Sequence, residues 1–310
     1  MGGVLSHSLK AKRQHADFSA RSDGSNSSSG NRRYESASFQ NSRGRRYHND
    51  KDVPYFLPND DIEFDRLDAQ HYMLHELIKS NHLCRLENPH NMLDVGAGTG
   101  TWAMEMAAEF PDTHVVGIDI SPIQPSTVRP PNVEFDTMNV LEGIRYENNS
   151  FAYVHLRLLC GAVPKPYWPT LIWDMARVCV PGGVVEVCET DGAFRNAGPI
   201  AAKFNRWIST VCASANIYPD EVWNVPRMME EAGLQVAQEQ YYELPIGSWH
   251  GRLGELGFRN LIGAVSGFRH KIVELCDETE ANIDATFEQL HEEINAYQCY
   301  WRIGVFVGRK

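Results

Sequence analysis

Met92-Leu93-Asp94-Val95-Gly96-Ala97-Gly98-Thr99-Gly100-Thr101 decides the fold class. A short apolar run with one acid ends in glycines at alternate positions. Glycine lets the backbone take positive φ and lets a ligand approach without a Cβ in the way. An apolar strand, a glycine turn and a helix from about Thr101 to Phe110 make a βα unit. In an open α/β sheet, ligands bind at the carboxyl end of such a strand.

The next segment, Val115-Val116-Gly117-Ile118-Asp119-Ile120, carries the second half of the signal. Asp119 ends a second strand about 20 residues beyond the last glycine, the spacing expected of a carboxylate that grips a ribose diol. The pattern is G-x-G-x-G. A dinucleotide fingerprint would need glycine where Thr101 stands, and no G-K-[ST] follows to make a P-loop. Asp94, just ahead of the glycines, suits a ligand with cationic groups better than a pyrophosphate.

Outward from this unit, strands and helices alternate. Val133 to Met138 reads as a third strand and Phe151 to Leu156 as a fourth. A helix spans Tyr167 to Val178, Pro181-Gly182-Gly183 turns, and Val184 to Cys188 is a fifth strand. Such alternation predicts a doubly wound, Rossmann-like, mostly parallel sheet covered on both faces. Ahead of it, Asn59, Asp60 and Asp61 offer caps for a helix over Ile62 to Leu83. After it come helices at about Ala201–Ala215, Glu221–Ala232, Leu261–Leu275 and Ala281–Asn295. Strand-like pieces at Leu234–Leu244 and Tyr300–Val307 complete seven strands, the last an antiparallel edge.

Residues 1–50 are rich in Ser, Asn and Arg and carry nine Lys and Arg against four Asp and Glu, a surplus of five. The whole chain of 310 residues carries −11, so the remainder carries −16. With almost no apolar periodicity, this stretch reads as a disordered basic tail in which Arg43, Arg45 and Arg46 form a solvated linker. Gly2 and Ser6 fit an N-myristoylation pattern, so a membrane contact is expected only if Gly2 is acylated. An acidic chain is a poor partner for nucleic acid. The seven cysteines include no C-x-x-C pair and fit reduced thiols. No secretory h-region and no apolar run of about 20 residues is present, so a cytoplasmic or nuclear place is expected.

Leu93 to Gly100 resembles motif I of the class I S-adenosylmethionine-dependent methyltransferases. Gly117-Ile118-Asp119-Ile120-Ser121 resembles their next motif, and Arg177 to Glu186, with its Pro-Gly-Gly, the turn before their fifth strand. Pro58-Asn59-Asp60-Asp61, Arg66 to His71, Ile120 to Pro125, Val154 to Arg157 and Val307 to Lys310 resemble the fungal LaeA-type members, which include regulators of secondary metabolism. The resemblance covers Tyr55 onward and implies a methyltransferase domain over 51–310. Its core is 90–192, and helical lid or acceptor additions lie at 196–232 and 248–296.

The resemblance also implies roles. Gly96, Ala97, Gly98 and Gly100 pass close to the methionine part of S-adenosylmethionine, with Asp94 ordering its ammonium. Asp119 binds the ribose and Ile120 packs on the adenine, flanked by Met138, Asn139 and Val140. His155, Leu156 and Arg157 face the methyl group and acceptor, and the helix with Arg66, Gln70 and His71 lies over the cofactor.

Other readings stand beside these. His155 is a candidate base, or a satisfied strand-end histidine. Glu189 is a second candidate base, and with Glu186 and Asp191 it is equally read as a solvated strand end. His71 and His75 share a helix face without a third ligand, so no metal is expected. Trp207, Trp223, Trp249 and Trp301 line an acceptor pocket or fill the core. The acceptor is a small molecule or a protein. The competing functions are a regulator working with a protein partner and a binding module that uses the cofactor for stability.

Overall fold

The computed structural model describes residues 39–42, 44–48 and 55–310. The Gly2 acylation pattern and Arg43 lie outside the described residues. Two pieces of the expected tail are described. β1 (Phe39–Ser42) and β2 (Arg45–His48) pair as an antiparallel hairpin, with Gly44 at φ 77° in the turn. The boundary expected near residue 50 lies outside the described residues. Arg45 is no solvated linker residue, because it forms an ion pair with Asp60.

The main sheet holds β3 (Asn91–Val95), β4 (His114–Asp119), β5 (Val133–Thr137), β6 (Phe151–Arg157), β7 (Cys179–Thr190), β8 (Gln235–Pro245) and β9 (Tyr300–Arg309). Its order is β5-β4-β3-β6-β7-β9-β8. The first five are parallel, and β9 runs antiparallel to both β7 and β8. Both late strands pair as the sequence suggests, but β9 lies inside the sheet and the edge falls to β8. Because β4 and β5 lie on one side of β3 and β6 and β7 on the other, the chain direction switches at β3. That switch opens a crevice at the strand's carboxyl end.

Seven α-helices are described: α1 (Asp61–Ile78), α2 (Thr101–Glu109), α3 (Trp168–Val178), α4 (Pro199–Ala213), α5 (Val225–Glu231), α6 (Gly251–Leu275) and α7 (Glu280–Ala296). Side chains of a strand alternate between faces. Leu93 and Val95 accordingly pack with Leu171, Ile172 and Met175 of α3, while Met92 packs with Trp102, Ala103 and Met106 of α2. All of these but Leu171 and Trp102 are 0% exposed. Each such Val, Leu, Ile or Met side chain stabilises the fold by roughly 1.5–3 kcal/mol. The same alternation sends Asp94 to the α2 side, where it meets His155. A third cluster joins α1, α4, α6 and α7 over Cys188, Ile303 and Val305 of β7 and β9.

Three boundaries differ from expectation for identifiable reasons. Asp60 is the cap of α1, accepting from the Glu63 N–H at 3.1 Å, but the helix stops at Ile78 because Lys79 turns left-handed. The Pro181-Gly182-Gly183 turn is an excursion within β7, held because the Gly182 N–H donates to the Lys310 carbonyl at 2.8 Å. α6 begins ten residues earlier than its apolar pattern, at Gly251. Gly254 and Gly257 let it lie against the Gly247 and Pro245 carbonyls, where a Cβ would come within 1.9 and 2.6 Å.

Among the described residues no helix is long and apolar enough to cross a membrane. All seven cysteines are free.

Candidate active site

The glycine turn is drawn tight over the ends of β3 and β4. The N–H groups of Gly96 and Ala97 both donate to the Ile118 carbonyl, at 2.8 and 2.9 Å. Gly96, Gly98 and Gly100 take φ values of 75°, 54° and 81°. Gly100 lies beneath the site against the Phe135 ring. Gly98 opens outward, where an added Cβ would find only Leu67 at 3.8 Å.

A cavity lies over this turn, roofed by α1. It measures about 170 Å³ as space open to the centre of a water molecule, more than ten times the roughly 10–15 Å³ one ordered water needs. Asp119 stands on one side. Its Oδ2 accepts from the Gly98 N–H at 2.8 Å and its Oδ1 from the Ser121 N–H at 2.9 Å. A carboxylate has about four lone-pair positions, so acceptor capacity remains for a diol. Burial raises the Asp119 pKa above the usual carboxylate range. Ile120, Met138, Asn139 and Val140 line the same side. Asn139 Oδ1 already accepts from the Leu141 N–H at 3.0 Å.

The opposite side is polar. Asp94 Oδ1 pairs with His155 Nδ1 at 2.8 Å, and the two side chains are 5% and 2% exposed. The His155 ring stacks on Trp102, centroids 3.8 Å apart and planes 7° from parallel. An Arg157 Nη2 donates to His71 Nδ1 at 2.8 Å, and His71 Nε2 lies 2.9 Å from Glu105 Oε2. Guanidinium has no lone pair to offer, so Nδ1 is the acceptor and Nε2 carries the hydrogen given to Glu105. Burial, and then the Arg157 charge, lower the His71 pKa, in keeping with this neutral tautomer.

The roof is tied to the floor. Thr99 and Thr101 hydroxyls donate to Asp68 Oδ1 of α1, at 2.6 and 2.7 Å. Arg66 holds both oxygens of Glu63 and also reaches Asn260 Oδ1 of α6 at 2.6 Å. Asn59 donates to Ser121 Oγ at 2.9 Å. Its Oδ1 is buried beside the cavity with no partner from the protein.

Of the residues singled out in the sequence, Asp94, Gly96, Ala97, Gly98, Asp119, Ile120, Met138, Asn139, Val140, His155, Arg157 and Gln70 line one cavity. Gly100, Arg66 and Leu156 support it without lining it, Leu156 from within the α3-side core. Glu189 does not line it either. That carboxyl is 0% exposed, accepts from the Leu159 N–H at 2.5 Å, and is pushed up to about 8 by burial. Nor is it a solvated strand end, and Glu186 is buried too.

Trp207 and Trp301 belong to the core and Trp223 lies against Tyr241 and Phe306. Trp249 donates to the Ile246 carbonyl. No residue of 196–232 or 248–296 reaches this cavity, because α6 backs α1 instead, Gly263 against Arg66 and Gly267 against Pro58. Sequence reading missed Tyr55, Glu63, Phe64, Leu158 and Leu159 as cavity walls. The hints were the Pro58–Asp61 and Val154–Arg157 stretches beside them. Among the described residues no three His, Cys, Asp or Glu side chains are grouped to hold a metal.

Residues 69–239 match the family described as Methyltransferase domain, more than half of the chain. The chain belongs to that family. It is an S-adenosylmethionine-dependent methyltransferase of class I, similar to the LaeA type. S-adenosylmethionine is its cofactor, and the lining is of a kind to suit it: Asp94 and Asp119 put two acids on the cavity wall, where a nucleoside carrying an ammonium, a sulfonium and a ribose diol would need them, and Gly98 leaves the wall open. The methyltransferase pytC of Aspergillus terreus is 29% identical over 241 residues, 74% of this chain and 73% of pytC. The secondary metabolism regulator laeA of Monascus pilosus is 32% identical over 216 residues, 67% of this chain. The protein-methionine methyltransferase laeA of Emericella nidulans is 31% identical over 225 residues, 68% of this chain. The methyltransferase matches only 58% of the length of each of these two laeA proteins.

Proposed function

We propose that this methyltransferase acts on an acceptor whose nucleophilic atom needs no protein base, and that His155 positions Asp94 rather than taking a proton. When bound, S-adenosylmethionine supplies a methyl group already activated as a sulfonium, so the protein's task is to align the acceptor and exclude water. Asp119 holds the ribose and Asp94 the ammonium. Arg157 forms no ion pair among the described residues and takes the carboxylate.

One observation carries the reading: of the acids and imidazoles along the cavity, Glu63, Asp119 and His71 are already committed, and Asp94 and His155 are paired with each other. Arg66 holds both oxygens of Glu63, His71 uses both nitrogens, and backbone N–H groups hold both oxygens of Asp119. His155 spends Nδ1 on Asp94 and one ring face on Trp102. A general base is required only when the nucleophile carries a proton at neutral pH. A thioether sulfur carries none, and one relative bears the name protein-methionine methyltransferase. Similarity to proteins named regulators supports a second reading, in which the acceptor is a protein within a regulatory complex.

Incubation of the full chain with methyl-tritiated S-adenosylmethionine and cell extract tests both. We expect label in protein or small molecules at a rate independent of pH between about 6 and 9. A rising limb of unit slope would establish a base and sink the proposal. Label confined to small molecules removes the second reading. Asp119→Ala is expected to weaken S-adenosylhomocysteine binding about ten- to a hundredfold by calorimetry, through loss of a charged contact.

A further inference from the structure

The hairpin β1–β2 belongs to a segment with no apolar pattern, yet its side chains converge on the roof of the cofactor cavity. Arg45 makes a two-pronged pair with Asp60, Nε to Oδ2 at 2.6 Å and Nη2 to Oδ1 at 2.9 Å. Both side chains are 18% exposed. The Arg46 carbonyl accepts from the Asn59 N–H at 2.5 Å, and its side chain donates back to the Asn59 carbonyl. The Arg46 guanidinium also lies 5.8 Å from the centre of the Phe64 ring. On the far side, the Tyr47 hydroxyl donates to the Gly267 carbonyl of α6 at 2.8 Å.

Asn59 and Phe64 are cavity walls, and Asp60 is the cap on which the first turn of α1 is built. The hairpin therefore grips the part of α1 over the cofactor and ties it to α6. We propose that the hairpin is a strap that holds the α1 roof closed on the cofactor, with Arg45 as its positioning residue. Arg45 touches no cavity atom itself and acts through Asp60.

Exposed ion pairs usually contribute little, but a bidentate Arg–carboxylate pair is the exception, because its two parallel bonds fix one geometry. The same Asp60 carboxylate also accepts from the Glu63 and Arg46 N–H groups. Releasing Arg45 frees the entry to α1 beside the cavity walls Asn59 and Phe64. A roof that opens more often speeds both entry and exit of ligand, whereas loss of a ligand contact speeds exit alone.

Stopped-flow binding of S-adenosylhomocysteine to the full chain separates these. We expect Arg45→Ala to dissociate the ligand about tenfold faster, with faster association as well, while circular dichroism remains that of the folded protein. Arg45→Lys keeps the charge without the fork and should fall between Arg45→Ala and wild type. Tyr47→Phe removes one oxygen at the α6 end and should shift both rates in the same direction by less. Arg259→Ala, which breaks an exposed pair with Glu255, is the control and should change neither rate. If Arg45→Ala does not fold, Arg45→Lys and Tyr47→Phe decide. Wild-type rates in the folded variants, or changes no larger than in Arg259→Ala, would overturn the strap. Wild-type protein that binds no ligand would refute the cofactor assignment itself, and the strap with it.

Discussion

Three glycines within five residues serve different ends. Gly96 and Gly100 are needed for packing: a Cβ at Gly100 would lie 2.4 Å from the Phe135 ring, and one at Gly96 2.7 Å from Leu159. Gly98 meets no such neighbour, only Leu67 at 3.8 Å, and lines the cavity, so its role on our reading is to leave room for the ligand. We therefore expect Gly100→Ala to lower unfolding free energy by roughly 1–3 kcal/mol through overpacking, and by about 1–2 kcal/mol more through its positive φ. Gly98→Ala should cost only about 1–2 kcal/mol of stability yet lose more S-adenosylhomocysteine affinity per unit of stability lost. Urea titration beside calorimetry checks the order, and equal ratios for the two variants would refute it. The spacing of these glycines is legible in the sequence. Their neighbours are not, because Phe135 and Leu159 meet them only once β5 and β6 are in place. The pairing of Asp94 with His155 is hidden for the same reason, since adjacent parallel strands bring together residues 61 apart.

At the scale of elements, β3, β4 and β6 were readable because they are short apolar runs ended by turn residues. α6 was readable only in its second half. Its first half is glycine-rich, and helix propensity alone argues against it. Close approach to the backbone at Gly247 and Pro245 outweighs that penalty. Gly254→Ala should therefore destabilise the protein, since no side chain can move aside where the neighbour is backbone. Gly263→Ala would meet the Arg66 Cδ at 3.0 Å, on a side chain held by Glu63 and Asn260, and should cost less than Gly254→Ala because a few tenths of an ångström of side-chain movement relieve it and helix propensity favours Ala. Thermal melts of the two variants decide, and a destabilised Gly263→Ala with a tolerated Gly254→Ala would reverse the account. The hairpin was illegible for another reason: it is held by arginine and tyrosine side chains reaching α1 and α6, and leaves no periodic trace.

For the whole molecule, buried carboxyls set the pH response. Burial raises Glu186 and Glu189, the latter to about 8. A carboxyl raised above its unfolded value holds its proton more tightly when folded. Its contribution is complete below the unfolded value and is lost as pH rises through the folded one. Stability from Glu189 should thus decline from the ordinary carboxylate range to about pH 8 and level off above it. Glu189→Gln should flatten the dependence of Tm on pH over that window and exceed wild type near pH 9. A wild-type slope in the variant would show that Glu189 is not the group responsible.

The order β7-β9-β8 also bears on how the chain is made. β8 pairs with β9 and with no other strand of the sheet, and residues 246–299 lie between them. At about 5–20 residues per second of synthesis, β8 waits roughly 3–11 s for its partner. During that interval a strand of eleven residues is a bare edge, open to any other nascent chain. Gln235, Gln238, Glu239 and Gln240 are exposed along it, and polar edges resist such pairing. Its polarity guards the strand during that interval and afterwards as well, since β8 stays the open edge of the finished sheet.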